Sequence, residues 1–144
     1  MLRTKASTYA VLAIAEIARR HTKKNMGVQA SEIAGYLGLP GAYAAKVLTQ
    51  LARANILRSD RGPRGGFRMA KPVEEIDLLQ VIEAVDGRIG SGGDFVNDPE
   101  SSGLTGQALC KVFKDIIESV RTALRQKTVA DLMPSELLAA SSSE

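Results

Sequence analysis

Two arginines stand close together in Arg61-Gly62-Pro63-Arg64-Gly65-Gly66. Guanidinium groups on a turn this rich in Gly and Pro suit one chemistry above others. They grip phosphate or enter a narrow minor groove, while the glycines let the backbone come close. The plainer reading is a hairpin turn with solubilising arginines. The surrounding charge favours the first. Residues 1–72 carry 13 Lys/Arg against 3 Asp/Glu, whereas residues 73–144 carry 6 against 13. A basic half beside an acidic half implies a polyanionic partner for the first half alone.

A second set of candidates lies just upstream. Pro40, Gly41, Ala42, Ala44 and Ala45 open a helical segment with small side chains that permit close approach and reach thymine methyls. Lys46 and Gln50 are long enough for guanine or adenine edges or for phosphates, and Thr49 and Arg53 suit phosphates. For Lys46 and Arg53 the alternative is a solvated helix face. Helix N-termini at Ser31 and Gly41 offer further backbone N–H groups to phosphate.

Enzyme chemistry finds little support. His21 is the single histidine, and no Ser/His/Asp set assembles around it. The glycine-rich turn lacks the Gly-Lys-Ser/Thr ending of a nucleotide-binding loop. One cysteine and one histidine provide no zinc spacing. Glu74, Glu75 and Asp77 read as caps for a following helix. Cys110 has two readings, a redox-reactive thiol near a helix N-terminus or a small residue buried in a dimer interface.

The elements that must position these residues follow from periodicity. A helix over 3–20 carries Tyr9, Leu12, Ala13 and Ile17 at three- to four-residue spacing. A short helix over 30–38, capped by Ser31, is broken at Gly38-Leu39-Pro40-Gly41. A third runs over 41–54 with Tyr43, Val47, Leu48 and Leu51 on one face. Two such helices joined by a Gly-containing turn form a helix-turn-helix candidate. The period then changes, and strands over 56–60 and 66–70 flank the arginine turn as a wing. Arg68 adds to its charge. A fourth helix spans 75–86 and stops at Gly87. A long helix over 104–127 bears a seam of Leu109, Phe113, Ile116, Val120, Ala123 and Leu124 with alternating spacings of four and three. That stripe has no neighbour in sequence to cover it, so a second copy is the natural partner, the alternative being that the helix packs back onto its own domain.

The expected organisation is a winged helix-turn-helix domain over 1–87, a flexible loop over 88–103, a dimerisation helix and C-terminal segment over 104–133, and a disordered tail over 134–144. The fold class is mainly α with a small β wing. No run is long and apolar enough for a transmembrane helix, and the first residues lack the pattern of a signal peptide, so the cytoplasm is the expected compartment.

Certain runs resemble a known family. These are Tyr9-Ala10-Val11, Ala30-Ser31-Glu32-Ile33-Ala34, Tyr43, Leu51 to Leu57, and above all Arg61-Gly62-Pro63-Arg64-Gly65-Gly66-Phe67. With Val81-Ile82-Glu83-Ala84-Val85-Asp86-Gly87 and Thr128-Val129-Ala130-Asp131-Leu132, they are similar to the Rrf2 family of winged-helix regulators over residues 3–133. The resemblance implies a homodimer on palindromic double-stranded DNA, with crossed long helices and contacts from Ala42, Tyr43, Lys46 and wing Arg61. It also implies, in some members, an iron–sulfur cluster held by three cysteines. The corresponding stretch here, Ile89 to Gly106, has none, and Cys110 lies about one turn beyond the last expected ligand position near Gln107. The chain is therefore expected to bind no cofactor and no metal, and to answer a small-molecule or protein effector. The expected function is a sequence-specific transcriptional regulator, a repressor, reading DNA through Ala42, Tyr43, Lys46, Thr49, Gln50, Arg53, Arg61 and Arg64 and pairing through Leu109, Phe113, Ile116, Val120 and Leu124. The alternative is an adaptor that keeps the fold without binding DNA.

Overall fold

The computed structural model describes residues 4–24, 26–63, 65–90, 103–136 and 138. The element order is α1 (Lys5–Lys24), α2 (Ala30–Leu37), α3 (Gly41–Arg53), β1 (Leu57–Asp60), β2 (Gly66–Met69), a 3-10 turn (Val73–Glu75), α4 (Leu78–Asp86), α5 (Gly103–Arg125) and a second 3-10 turn (Ala130–Leu132). This is a mainly helical fold with a two-stranded antiparallel wing. Among the described residues, no helix is long and apolar enough to cross a membrane.

The core gathers around α1. Ala10, Ala13, Ile14 and Ile17 are buried there, against Ile33 of α2, Val47, Leu48 and Leu51 of α3, and Ile56, Leu57, Ile76 and Val81. The buried face of α1 is rotated from the expected one. Leu12 is 45% exposed, and Ile14 takes its place inside. Both residues fit a three-to-four spacing, and only the position of the neighbouring helices selects between them.

The start of α2 also differs from expectation. Gln29, not Ser31, is the N-cap. The Glu32 carboxylate reaches back to accept the Gln29 N–H at 2.8 Å, so the side chain at the third helical position does the capping. At the other end Gly38 adopts φ 66°, and the Leu39 N–H closes onto the Ala34 carbonyl at 2.9 Å. This left-handed cap turns the chain sharply into Pro40 and α3. Asn55, at φ 59°, plays the same part after α3 and aims the chain into β1.

Between the wing and α4, the expected single helix over 75–86 is a 3-10 turn followed by a shorter helix. Asp77 caps α4 by accepting the Gln80 N–H at 2.9 Å, while Glu74 and Glu75 belong to the turn before it. The segment after α5 returns to the body. The Leu78 N–H donates to the Lys127 carbonyl and the Val129 N–H to the Ile76 carbonyl, both at 2.8 Å. Val129 is fully buried, and Ala130 and Met133 join the same core. Of the expected loop and tail, residues 91–102, 137 and 139–144 lie outside the described residues; Leu138 is packed against the core.

One buried charge organises the far end of α1. Glu16 is 3% exposed. It accepts Arg19 Nε–H at 2.9 Å and Nη2–H at 2.5 Å, and Arg20 Nε–H at 2.6 Å. Arg20 continues to Glu32 at 3.4 Å and lies over the Tyr36 ring at 6.0 Å, which ties α1 to α2. The hydrogen bonds from Arg19 hold the Glu16 carboxyl below the usual carboxylate range, against the opposing effect of burial. A depressed carboxylate stabilises the fold above its ordinary pKa, and that contribution is lost as pH falls through the lowered value. Glu16→Gln is expected to cost about 2 kcal/mol at neutral pH. The gap from the parent chain should close on acidification below the ordinary carboxylate range, as read by denaturant unfolding across pH.

Candidate nucleic-acid interface

The candidate surface is assembled from α3 and the hairpin that α3 packs against. Ala44, Val47, Leu48 and Leu51 anchor α3 in the core. This leaves Gly41, Ala42, Lys46, Thr49 and Arg53 exposed, with Ala45 and Gln50 half-buried. By sequence Ala44 groups with the approach surface; at 2% exposure it is core instead. Tyr43 is half-buried, its ring edge-on to Tyr9 with centroids 6.1 Å apart at 84°. That packing fixes the start of α3 on α1 and limits the part of Tyr43 that reaches solvent.

The wing is held in place by a third strand-like pairing. Val28 and Phe67 exchange backbone hydrogen bonds of 2.9 and 2.8 Å. The Gln29 side chain donates to the Gly65 carbonyl at 2.9 Å, so the residue that caps α2 also holds the base of the wing. Glycine is required here. Gly66 sits at φ 115°, and a Cβ on it would stand 2.7 Å from the Val28 carbonyl oxygen. A Cβ on Gly27 would meet the Gly65 oxygen at 2.5 Å.

On the wing, Arg61 is exposed at the turn and makes no ion pair among the described residues; Arg64 lies outside them. Arg68 is placed differently from the sequence expectation. Its Nε lies 2.8 Å from an Asp60 carboxylate oxygen and its side chain is 17% exposed, so it braces the hairpin across the strand pair. Arg58 is a cation that the turn motif does not include. It projects from β1 with 65% of its side chain exposed, 3.6 Å from Asp60. The alternation of Leu57 inward and Arg58 outward is the sequence signal that marks it. Lys46, Arg53, Arg58 and Arg61 therefore give α3 and the wing an exposed basic surface.

The second candidate set lies on α5. Leu109, Val112 and Ile116 are about half exposed and Leu104 is 85% exposed. Phe113, Val120 and Leu124 are half-buried. A strict four-three spacing selects Phe113 and passes over Val112, although Val112 is the more exposed. Near its C-terminal end α5 is tied to α4. Arg121, 7% exposed, donates to Glu83 at 2.9 Å, and Glu83 also accepts the Ile89 N–H at 3.1 Å. A cavity of about 370 Å³ opens beside this pair, lined by Arg88, Ile89, Gly90, Lys114, Ile117 and Glu118 with Arg121. Cys110 is half-buried on α5.

The Rrf2 family model, described as an iron-dependent transcriptional regulator, matches residues 3–135. A Mycobacterium tuberculosis H37Rv protein that carries the name of an HTH-type transcriptional regulator is 32% identical over 125 residues, covering 86% of this chain and 76% of its own. The HTH-type transcriptional regulator IscR of Cereibacter sphaeroides is 26% identical over 137 residues, covering 90% and 84%. Among solved structures, CymR (YrzC), the global cysteine regulator of B. subtilis, superposes with a TM-score of 0.65 at 22% identity, covering 90% of this chain and 94% of that one. IscR of T. potens gives 0.64 at 23%, covering 90% and 84%. The fold and the relatives define a winged helix-turn-helix transcriptional regulator, not an enzyme. The chain belongs to the Rrf2 family.

The family description invokes iron, and the donors present do not fit a cysteine-held cluster. The sequence has one cysteine. Among the described residues, no three His, Cys, Asp or Glu side chains come together as a metal site.

The glycine arrangement is directly testable. Gly66→Ala is expected to lower the unfolding free energy by about 1–3 kcal/mol, through its positive φ and the clash with Val28. Gly35→Ala, in α2 with open space around it, should raise stability by about 0.5–1 kcal/mol. Equal effects of the two substitutions in denaturant unfolding would contradict the structural role given to Gly66.

Proposed function

We propose that this regulator is a homodimeric repressor that binds palindromic operator DNA and acts without an iron–sulfur cluster. The observation that carries the reading is the exposed basic surface shared by α3 and the wing, with Lys46 and Arg53 on one and Arg61 on the other. Ala42, Lys46 and Gln50 face the bases; Tyr43, Thr49 and Arg53 take phosphates; Arg61 and Arg64 enter the flanking minor groove. The exposed apolar stripe of α5 supports the dimer. Leu109, Val112 and Ile116 from two copies bury one another together with Phe113, Val120 and Leu124, and this places the two recognition helices in major grooves about 34 Å apart. A dimer covering that span occludes a promoter, which favours repression. An effector that entered the cavity beside Arg121 would act on the junction of α4 and α5. Because Cys110 stands alone, it supplies too few thiolates for a cluster; it is a small interface residue in this reading.

Two experiments test the proposal. Gel-shift titration against the DNA upstream of the chain's own gene should show binding that weakens steeply with salt. Arg61→Ala with Lys46→Ala should abolish specific binding and reduce the salt slope by roughly one for each phosphate no longer neutralised. Salt-insensitive behaviour, or no binding by either protein, would favour an adaptor that retains the fold. For the dimer, Ile116→Asp is expected to give a monomer in sedimentation velocity and to weaken operator binding by at least about tenfold, without unfolding the body. A dimer that survives this change would place the interface elsewhere.

A further inference from the structure

The recognition surface has an unusual chemical order along its length. Positions 42, 45, 46, 49 and 53 fall within a band about 100° wide, opposite Val47, Leu48 and Leu51, at about 100° per residue. Ala42, Lys46, Thr49 and Arg53 are exposed in this band and Ala45 is half-exposed. The first turn and a half therefore presents Gly41, Ala42 and Ala45, with no side chain able to donate or accept a hydrogen bond. The first such group on this face is Lys46. Tyr43, the one long side chain nearby, lies outside this band, half-buried with its ring edge-on to Tyr9.

A recognition helix meets the major groove with its N-terminal residues. A hydrogen-bonding code is unavailable there, and what remains is methyl-to-methyl packing. Thymine is the one natural unmodified base that carries a methyl group in the major groove, and alanine side chains are among the groups that pack against it. Small side chains also let the helix sit deeper, which brings the Lys46 ammonium within reach of guanine N7 and O6. We infer that this chain reads its half-site chiefly through thymine C5-methyl groups packed on Ala42 and Ala45, with Lys46 selecting a guanine beside them. The inference rests on the DNA-binding reading above and adds the class of sequence that is read.

The test uses the full-length protein. Selection from a random duplex pool yields its preferred site, and each half-site is expected to contain thymines next to a guanine. Every thymine of that site is then replaced singly by deoxyuridine, which keeps base pairing and O4 and removes only the methyl. One or two replacements per half-site should weaken binding about three- to fivefold each, the scale of one buried methyl group. Ala45→Gly should lose a similar factor, and the deoxyuridine that matters to Ala45 should then cost nothing further. Because glycine within α3 also lowers helix stability, the deoxyuridine series with the unaltered protein decides independently. A selected site bound tightly but indifferent to deoxyuridine at every position, or a half-site without thymine, overturns the methyl reading and leaves DNA binding intact. Failure to select any DNA, together with loss of salt-sensitive binding, overturns the DNA-binding reading itself and this inference with it.

Discussion

The placement of the wing beside the helix-turn-helix depends on one short junction, the paired backbone hydrogen bonds between Val28 and Phe67. They join the segment before α2 to the second wing strand, so the helix-turn-helix and the hairpin become one rigid unit. Everything near them serves that approach. Gly27 and Gly66 remove the Cβ atoms that would keep the two backbones apart, and Gly65 does the same inside the hairpin, against Asp60 and Arg61. Gln29 adds a side-chain hydrogen bond to Gly65, and its own N–H is satisfied by Glu32. The junction adds to the packing of α1 and α3 against the hairpin, since a two-stranded ribbon is marginally stable by itself.

A second constraint is electrostatic and works inside the body. The basic half of the chain does not place all its cations on the surface. Arg19 and Arg20 are drawn onto buried Glu16, and Arg68 is held by Asp60. These carboxylates sort the arginines into those that brace the structure and those that remain outward, such as Arg61, while Arg58 is exposed yet still within 3.6 Å of Asp60. The sorting leaves Lys46, Arg53 and Arg61 exposed on α3 and the wing.

Much of this is legible in the sequence because glycine, proline and periodicity are strong local signals. Gly38-Leu39-Pro40 marks the turn between α2 and α3, and Gly62-Pro63 marks the wing. The rest requires knowing neighbours. Leu12 and Ile14 are equally good core residues until α4 and α3 are placed. Ser31 is a better cap than Gln29 by type, but Glu32 supplies the cap from inside the helix. Arg68 reads as a wing cation until Asp60 is seen across the hairpin. Val28 carries no strand pattern of its own, since a single bridge leaves no alternation to detect. The alanines opening α3 are visible as small residues, yet only burial separates Ala44, which faces the core, from Ala42 and Ala45.

The return of the chain after α5 bears on how the protein is made. Val129 fills the core beneath Ile76, and the Asp77–Thr128 bridge seals the start of α4. These partners are separated by about fifty residues, including the whole of α5. The body cannot complete its core until synthesis has passed Met133, by which point the whole of α5 already exists. A fragment ending at Gly87 would lack a piece of its own interior.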